Sequence, residues 1–77
     1  MRILIIPNFS NAYDIKMTKG LGRAFTELGI LNFVSRSPVS ENFLNKLAKS
    51  VSADIVLRIN RTRPDNLDKN IRHLSWF

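Results

Sequence analysis

Met1-Arg2-Ile3-Leu4-Ile5-Ile6-Pro7-Asn8 is the stretch that decides the fold. Residues 2–6 form a short apolar run rich in isoleucine, without the polar alternation of a strand that shows one face to water. Such a run marks a strand covered on both faces, the arrangement of a parallel sheet between helices. Pro7 ends it, because proline has no N–H to give to a ladder. Asn8-Phe9-Ser10-Asn11 then reads as a polar loop with turn chemistry. Met1-Arg2 before apolar residues has the start of a signal peptide, but Pro7-Asn8 stops the run well short of the ~7–15 apolar residues an h-region needs.

The pattern next changes to helical spacing. Asp14 is placed to cap a helix, and Met17, Leu21, Ala24, Phe25 and Leu28 recur on one face, with Lys16, Lys19, Arg23 and Glu27 mainly opposite. Gly29 stands where a left-handed C-terminal cap belongs. Gly20 and Gly22 fall inside this helix, each at a cost of up to ~1 kcal/mol against alanine. Close packing on the sheet accounts for them, and backbone approach to a ligand is the alternative. Leu31 to Val34 reads as a second strand and residues 35–39 as a loop. Ser40 is a good N-cap with Glu41 in the first turn, and Phe43, Leu44, Leu47, Ala48 and Val51 give a second apolar helix face. Ile55-Val56-Leu57-Arg58-Ile59 is a third strand. Residues 60–70 are polar, with Pro64 and a helical turn expected at 65–68. Residues 71–77 alternate as a fourth strand.

The order strand, helix, strand, helix, strand predicts right-handed crossovers and a parallel sheet. The expected class is α/β: a parallel sheet of about four strands with helices on both faces. A sequence closing on the aromatics Trp76 and Phe77 leads us to expect a truncated domain, a part of something larger.

With 77 residues, a single small domain is the bound. A chain this short buries only roughly 60% of its unfolded surface, so stability is marginal. A hydrophobic fraction of 44% and a charged fraction of 23% exclude a disordered chain. No apolar run approaches the ~18–20 residues of a membrane span, and a cytoplasmic location is the default expectation. The absence of cysteine excludes disulfides and thiolate metal sites, and the single histidine, His73, excludes a His-rich metal site. The net charge of +6 permits attraction to polyanions. The cations are scattered rather than blocked, however, which fits a generally basic surface and argues against nucleic acid as the partner.

Ligands of open α/β sheets bind beyond the carboxyl ends of the strands. The candidate loops are therefore residues 7–11, 35–39 and 60–64. In the first, Asn8, Ser10 and Asn11 are uncharged hydrogen-bonding groups suited to hydroxyls or a phosphate oxygen. In the third, Asn60 precedes Arg61 and Arg63, and arginine grips phosphate or carboxylate with paired donors. His73 is a weak candidate for a general base, lacking a carboxylate nearby in sequence. No G-x-G-x-x-G follows the first strand, and no P-loop or G-x-S-x-G nucleophile elbow is present. No acidic pair follows Ile6, against a phosphoacceptor receiver.

Met1-Arg2-Ile3-Leu4-Ile5-Ile6 together with Lys19-Gly20-Leu21-Gly22-Arg23-Ala24-Phe25-Thr26-Glu27-Leu28-Gly29 resembles the opening of GT-B glycosyltransferases. Ala53-Asp54-Ile55-Val56-Leu57-Arg58-Ile59-Asn60 resembles a later strand of that family. Asn70-Ile71-Arg72-His73-Leu74-Ser75-Trp76-Phe77 resembles the next strand, in bacterial members with an R-H-x-S-W-F stretch. The chain departs from many members at Pro7-Asn8-Phe9-Ser10, where they carry a Gly-rich turn. The resemblance implies an amino-terminal, Rossmann-like, acceptor-side domain over residues 1–77. It implies a nucleotide-sugar donor held mostly by a carboxyl-terminal domain, and no sugar transfer by this chain alone. Asn8, Ser10, Asn11 and Asn60 would orient acceptor hydroxyls, and Arg61 or Arg63 would balance donor phosphates. No metal or cofactor is expected. Two other readings stand beside it. One is a small basic module for nucleic acid or another polyanion. The other is an interaction domain docking through Trp76 and Phe77, by self-association or on a larger partner.

Overall fold

The computed structural model describes residues 1–59 and 61–76; Asn60 and Phe77, both singled out above, lie outside the described residues. The elements are β1 (Arg2–Ile6), α1 (Ala12–Glu27), β2 (Leu31–Val34), α2 (Glu41–Ser50), β3 (Ile55–Ile59) and β4 (Arg72–Trp76). The strands form one four-stranded sheet in the order β2-β1-β3-β4, and every pairing is parallel. This is the small Rossmann-like α/β architecture expected from the alternation of elements.

β1 explains the apolar opening run. It pairs with β2 on one side and β3 on the other, so its backbone is fully engaged. Its side chains then go to two separate cores. Ile3 and Ile5 pack with Leu57 beneath Leu21 and Phe25 of α1. Leu4 and Ile6 pack with Val56 against Leu44 and Ala48 of α2. A strand with a core on each face has no position left for a polar residue. Leu67 and Ile71, from the segment joining β3 to β4, complete the α2-side core where a third helix would otherwise lie. That segment turns at Pro64, whose carbonyl accepts from Leu67 N–H, and again at Asp68, whose carbonyl accepts from Ile71 N–H.

α1 differs from the sequence expectation in its start and its buried face. Asn11 is the N-cap, its side chain accepting from Tyr13 N–H at 2.9 Å. Asp14 lies instead in the first turn, where a carboxylate favours the positive end of the helix, and it accepts from Asn8 Nδ2. Thr18 and Gly22 are the buried residues of α1, while Ala24 and Leu28 are exposed. Small residues thus occupy the fully buried positions beside the partly buried Leu21 and Phe25, and at Gly22 the backbone of α1 comes close to β2. A Cβ built on Gly22 would lie 2.9 Å from Val34 Cγ2 and 3.0 Å from Asn32 Oδ1. Asn32 Nδ2 donates to the Gly22 carbonyl, which anchors the same contact. Thr18 loses nothing by burial, since its hydroxyl donates to the carbonyls of Asp14 and Ile15. At Gly20 a Cβ would meet open space.

Both helices end alike. Gly29 has φ +77, and Ile30 N–H returns to the Phe25 carbonyl at 2.8 Å. After α2, Ser52 takes φ 56 and Ala53 N–H returns to the Ala48 carbonyl at 2.9 Å. Each left-handed residue satisfies helix-end carbonyls and turns the next apolar residue into a core. On the α1 side of the sheet, Leu74 and Trp76 of β4 remain exposed, at 50% and 39%.

The two interior glycines of α1 should respond with opposite signs. Gly20→Ala should raise stability by up to ~1 kcal/mol through helix propensity. Gly22→Ala should lower it by about 1–2 kcal/mol, because the collision with Val34 and Asn32 outweighs that gain. Urea midpoints of both variants check this. Shifts of equal sign and size would show that α1 does not rest on β2 through Gly22.

Candidate functional site: a cleft at the carboxyl ends of the strands

Because all four strands run the same way, their carboxyl ends share one edge of the sheet. The chain leaves β1 toward β2 on one side and returns through α2 to β3 on the other. β1 and β3 are thus neighbours whose following loops diverge, the switch point where such sheets bind ligands. A cleft of about 530 Å³ opens there. Asn8, Phe9 and Ser10 from the loop after β1 form one wall, Ser40 and Glu41 from the start of α2 another, and Arg58, Ile59 and Arg61 from the end of β3 the floor and third side.

Arg58 organises this cleft. It sits in the second-last position of a buried strand and is only 5% exposed. A buried charge is tolerated only when paired and hydrogen-bonded, and the surroundings supply acceptors from three directions. Arg58 Nε donates to His73 Nε2 of β4 at 2.9 Å. Its Nη1 donates to Glu41 Oε1 of α2 at 3.3 Å, and its Nη2 to the Thr62 carbonyl at 2.6 Å. The Glu41 side chain is 59% exposed, so solvent screens this ion pair and its worth lies mainly in orientation. Accepting from Arg58 requires His73 Nε2 to carry no proton. Burial pushes the His73 pKa below its usual 6.5, and the Arg58 and Arg63 charges push the same way, partly opposed by Glu41.

The sequence-derived candidates separate into groups. Asn8, Ser10 and Arg61 line the cleft together. Asn8 Oδ1 accepts from Ser10 N–H, which fixes the loop. Arg61 N–H donates to Ser75 Oγ, while its side chain has no hydrogen bond or ion pair among the described residues. Asn11 serves as the α1 cap. Arg63 turns to the protein, donating from Nη1 to the Ile71 carbonyl at 2.6 Å and from Nη2 to the Asp68 carbonyl at 2.9 Å. It thereby clamps the segment before β4. Asp68 in that segment accepts from Asn70 N–H, which together with Lys49 holds its carboxyl below the usual carboxylate range. His73 stands behind Arg58, outside the cleft lining. Asn60 is outside the described residues. Glu41, Phe9, Ser40 and Arg58 are cleft residues that the sequence reading did not single out. The signal for Arg58 was present: one charge inside Ile55-Val56-Leu57-Arg58-Ile59 demanded a partner.

A second cleft, of about 680 Å³, lies across the same loop between β1 and β2. Phe9, Ile15 and Val34 give it apolar walls, and Lys19 and Arg36 are its charged lining residues. Among the described residues no three His, Asp or Glu side chains gather as a metal site would need. No helix among them is long and apolar enough to cross a membrane.

Fold and site together define a Rossmann-like domain with a switch-point cleft of mixed polar and apolar lining. Comparison with family models, curated proteins and solved structures gives no match to this chain, so this class rests on its own residues.

The His73 pKa gives stability a defined pH dependence. The folded imidazole takes its proton at lower pH than the unfolded one, whose value is 6.5. The unfolding free energy is therefore full above the unfolded pKa, falls as the pH drops from there to the folded pKa, and levels below it. Urea midpoints recorded from about pH 7.5 down to about pH 5.5, above the ordinary carboxylate range, should decline in the native chain and lose that slope in His73→Gln. A flat native profile would place His73 in solvent rather than behind Arg58.

Proposed function

We propose that this chain is the acceptor-side, Rossmann-like part of a cytoplasmic GT-B-type glycosyltransferase, with the switch-point cleft receiving the hydroxyl-bearing acceptor. The observation that carries the reading is the lining of that cleft. Asn8, Ser10, Ser40, Glu41 and Arg61 line it together with the apolar Ile6, Phe9, Pro38, Val39 and Ile59. A few convergent polar groups beside an apolar surface suit a small molecule with many hydroxyls. The stretches that resemble GT-B enzymes, residues 1–6, 19–29, 53–60 and 70–77, support the same reading.

In this account Asn8 and Ser10 orient acceptor hydroxyls. Glu41 is the one carboxylate lining the cleft among the described residues. Its Oε1 is engaged by Arg58, which leaves Oε2 for a hydroxyl proton. His73 Nε2 is occupied by Arg58 and serves the site through it. Arg61, whose guanidinium has no partner among the described residues, faces the phosphates of a nucleotide-sugar donor held by a second domain. Holding both substrates in register is what accelerates transfer, so this chain alone binds acceptor without turning it over.

The test is a 15N NMR titration of the chain with glucose, galactose and N-acetylglucosamine, and separately with UDP-glucose. Amides of residues 8–10, 40–41 and 61 should shift with at least one free sugar. The double variant Asn8→Ala/Ser10→Ala should weaken that response about tenfold, the loss of one to two hydrogen bonds. UDP-glucose should add little. Sugar transfer by the chain alone, or shifts confined to other surfaces, would contradict the reading. Binding of a single-stranded oligonucleotide that falls steeply with salt would favour the polyanion alternative instead.

A further inference from the structure

We propose that His73 is a proton-operated latch for the switch-point cleft, whose protonation releases Arg58 and uncouples residues 61–63 from the start of α2. Among the described residues Arg58 is the side chain that joins three parts around the cleft: Glu41 on α2, the Thr62 carbonyl after β3, and His73 on β4. Its Nε bond to His73 exists only while Nε2 offers a lone pair. A protonated imidazole has donors on both nitrogens and no acceptor. At 2.9 Å, protonation therefore converts a hydrogen bond into two opposed N–H groups on two cations.

The surroundings give the imidazolium no compensation. Among the described residues, the charged groups that act on His73 are Arg58 from β3, Arg63 from the segment before β4, and Glu41 from α2. Two are cations, and the carboxylate is already turned to Arg58 with its side chain 59% exposed. Arg63 is fixed by the carbonyls of Ile71, Asp68 and Leu67 and cannot readily withdraw. Arg58 is thus the group that moves, and its way out is through the cleft that it lines. Following Glu41 outward, it leaves the Thr62 carbonyl without its donor. Arg61 then keeps only the Ser75 Oγ contact of its N–H, on the same face of β4 as His73. The loop carrying Arg61 loosens, and with it one wall of the cleft. The inference does not depend on what occupies the cleft.

The experiment is a pH titration of the full chain by NMR, following the His73 imidazole, the Arg58 Nε–H and the backbone amides. His73 should titrate with a midpoint below its ordinary 6.5. The Arg58 Nε–H and the amides of Arg61, Thr62 and Glu41 should move with that same midpoint, while Ile3 and Ile5 of β1, whose side chains pack on the α1 face, stay still. Amide protection at 61–63 should be lost on the acid side. In His73→Gln, a side-chain carbonyl accepts from Arg58 at every pH, so the transition should vanish. Glu41→Gln should keep it, which separates the histidine from the carboxylate. Amides at 61–63 that do not respond through the His73 titration would overturn the proposal, as would a transition that persists in His73→Gln. The native titration decides the matter even if the glutamine variant does not fold.

Discussion

A guanidinium buried inside a parallel sheet must be met by acceptors on every side, and Arg58 imposes that requirement on everything around the cleft. Its neighbours along β3, Val56 and Leu57, are there for packing. Arg58 is there at a cost, since an unpaired charge at that depth would be strongly destabilising. The fold meets the requirement with parts from separate elements: a glutamate at the first position of α2, a carbonyl just past β3, and an imidazole two residues into β4. These are also the parts that shape the cleft. The same set of bonds thus stabilises the carboxyl edge of the sheet and defines its geometry.

Behind that edge the architecture follows from double coverage of β1. Each face of the sheet has its own core, and each core is closed by one helix. The helices do it differently. α2 inserts Leu44 and Ala48 as an ordinary amphipathic helix does. α1 packs Leu21 and Phe25 and in addition brings its backbone close at Gly22, with Asn32 of β2 reaching back to the Gly22 carbonyl. The ligand-side loop between β1 and α1 is held by short local bonds, Asn8 to Ser10 and Asn11 to Tyr13. Asn8 and Ser10 of this loop line the cleft. Specificity at this edge is therefore a matter of which loop groups the protein has not already used for itself.

That distinction also marks what could be read from the sequence. The unbroken apolar run 2–6, the Pro7 stop, Ser40 as a cap and Gly29 as a left-handed terminus are local signals, and each element they specify is present. α1 was legible only in part: Leu21 and Phe25 of the expected apolar face do pack on the sheet, Ala24 and Leu28 of that face are exposed, and the buried Thr18 and Gly22 carry no hydrophobic signal. Asn8, Ser10 and Arg61 were legible as cleft residues because parallel strands bring their following loops to one edge. That Arg63 and Asn11 are consumed by the protein's own carbonyl and amide groups was not legible, since an arginine or asparagine in a loop looks the same whether it serves a ligand or the backbone. The Arg58–His73 bond depends on the β3–β4 register, Val56 opposite His73 and Arg58 opposite Ser75, which sequence alone leaves open.

The most direct measurement is the 15N–15N scalar coupling across the hydrogen bond between Arg58 Nε and His73 Nε2 near neutral pH. A resolved coupling, a slowly exchanging Arg58 Nε–H and an imidazole protonated on Nδ1 are the results this account requires. Rapid exchange of that proton with no coupling, or an imidazole protonated on Nε2, would mean that Arg58 is not held by His73 and that the cleft is organised in some other way.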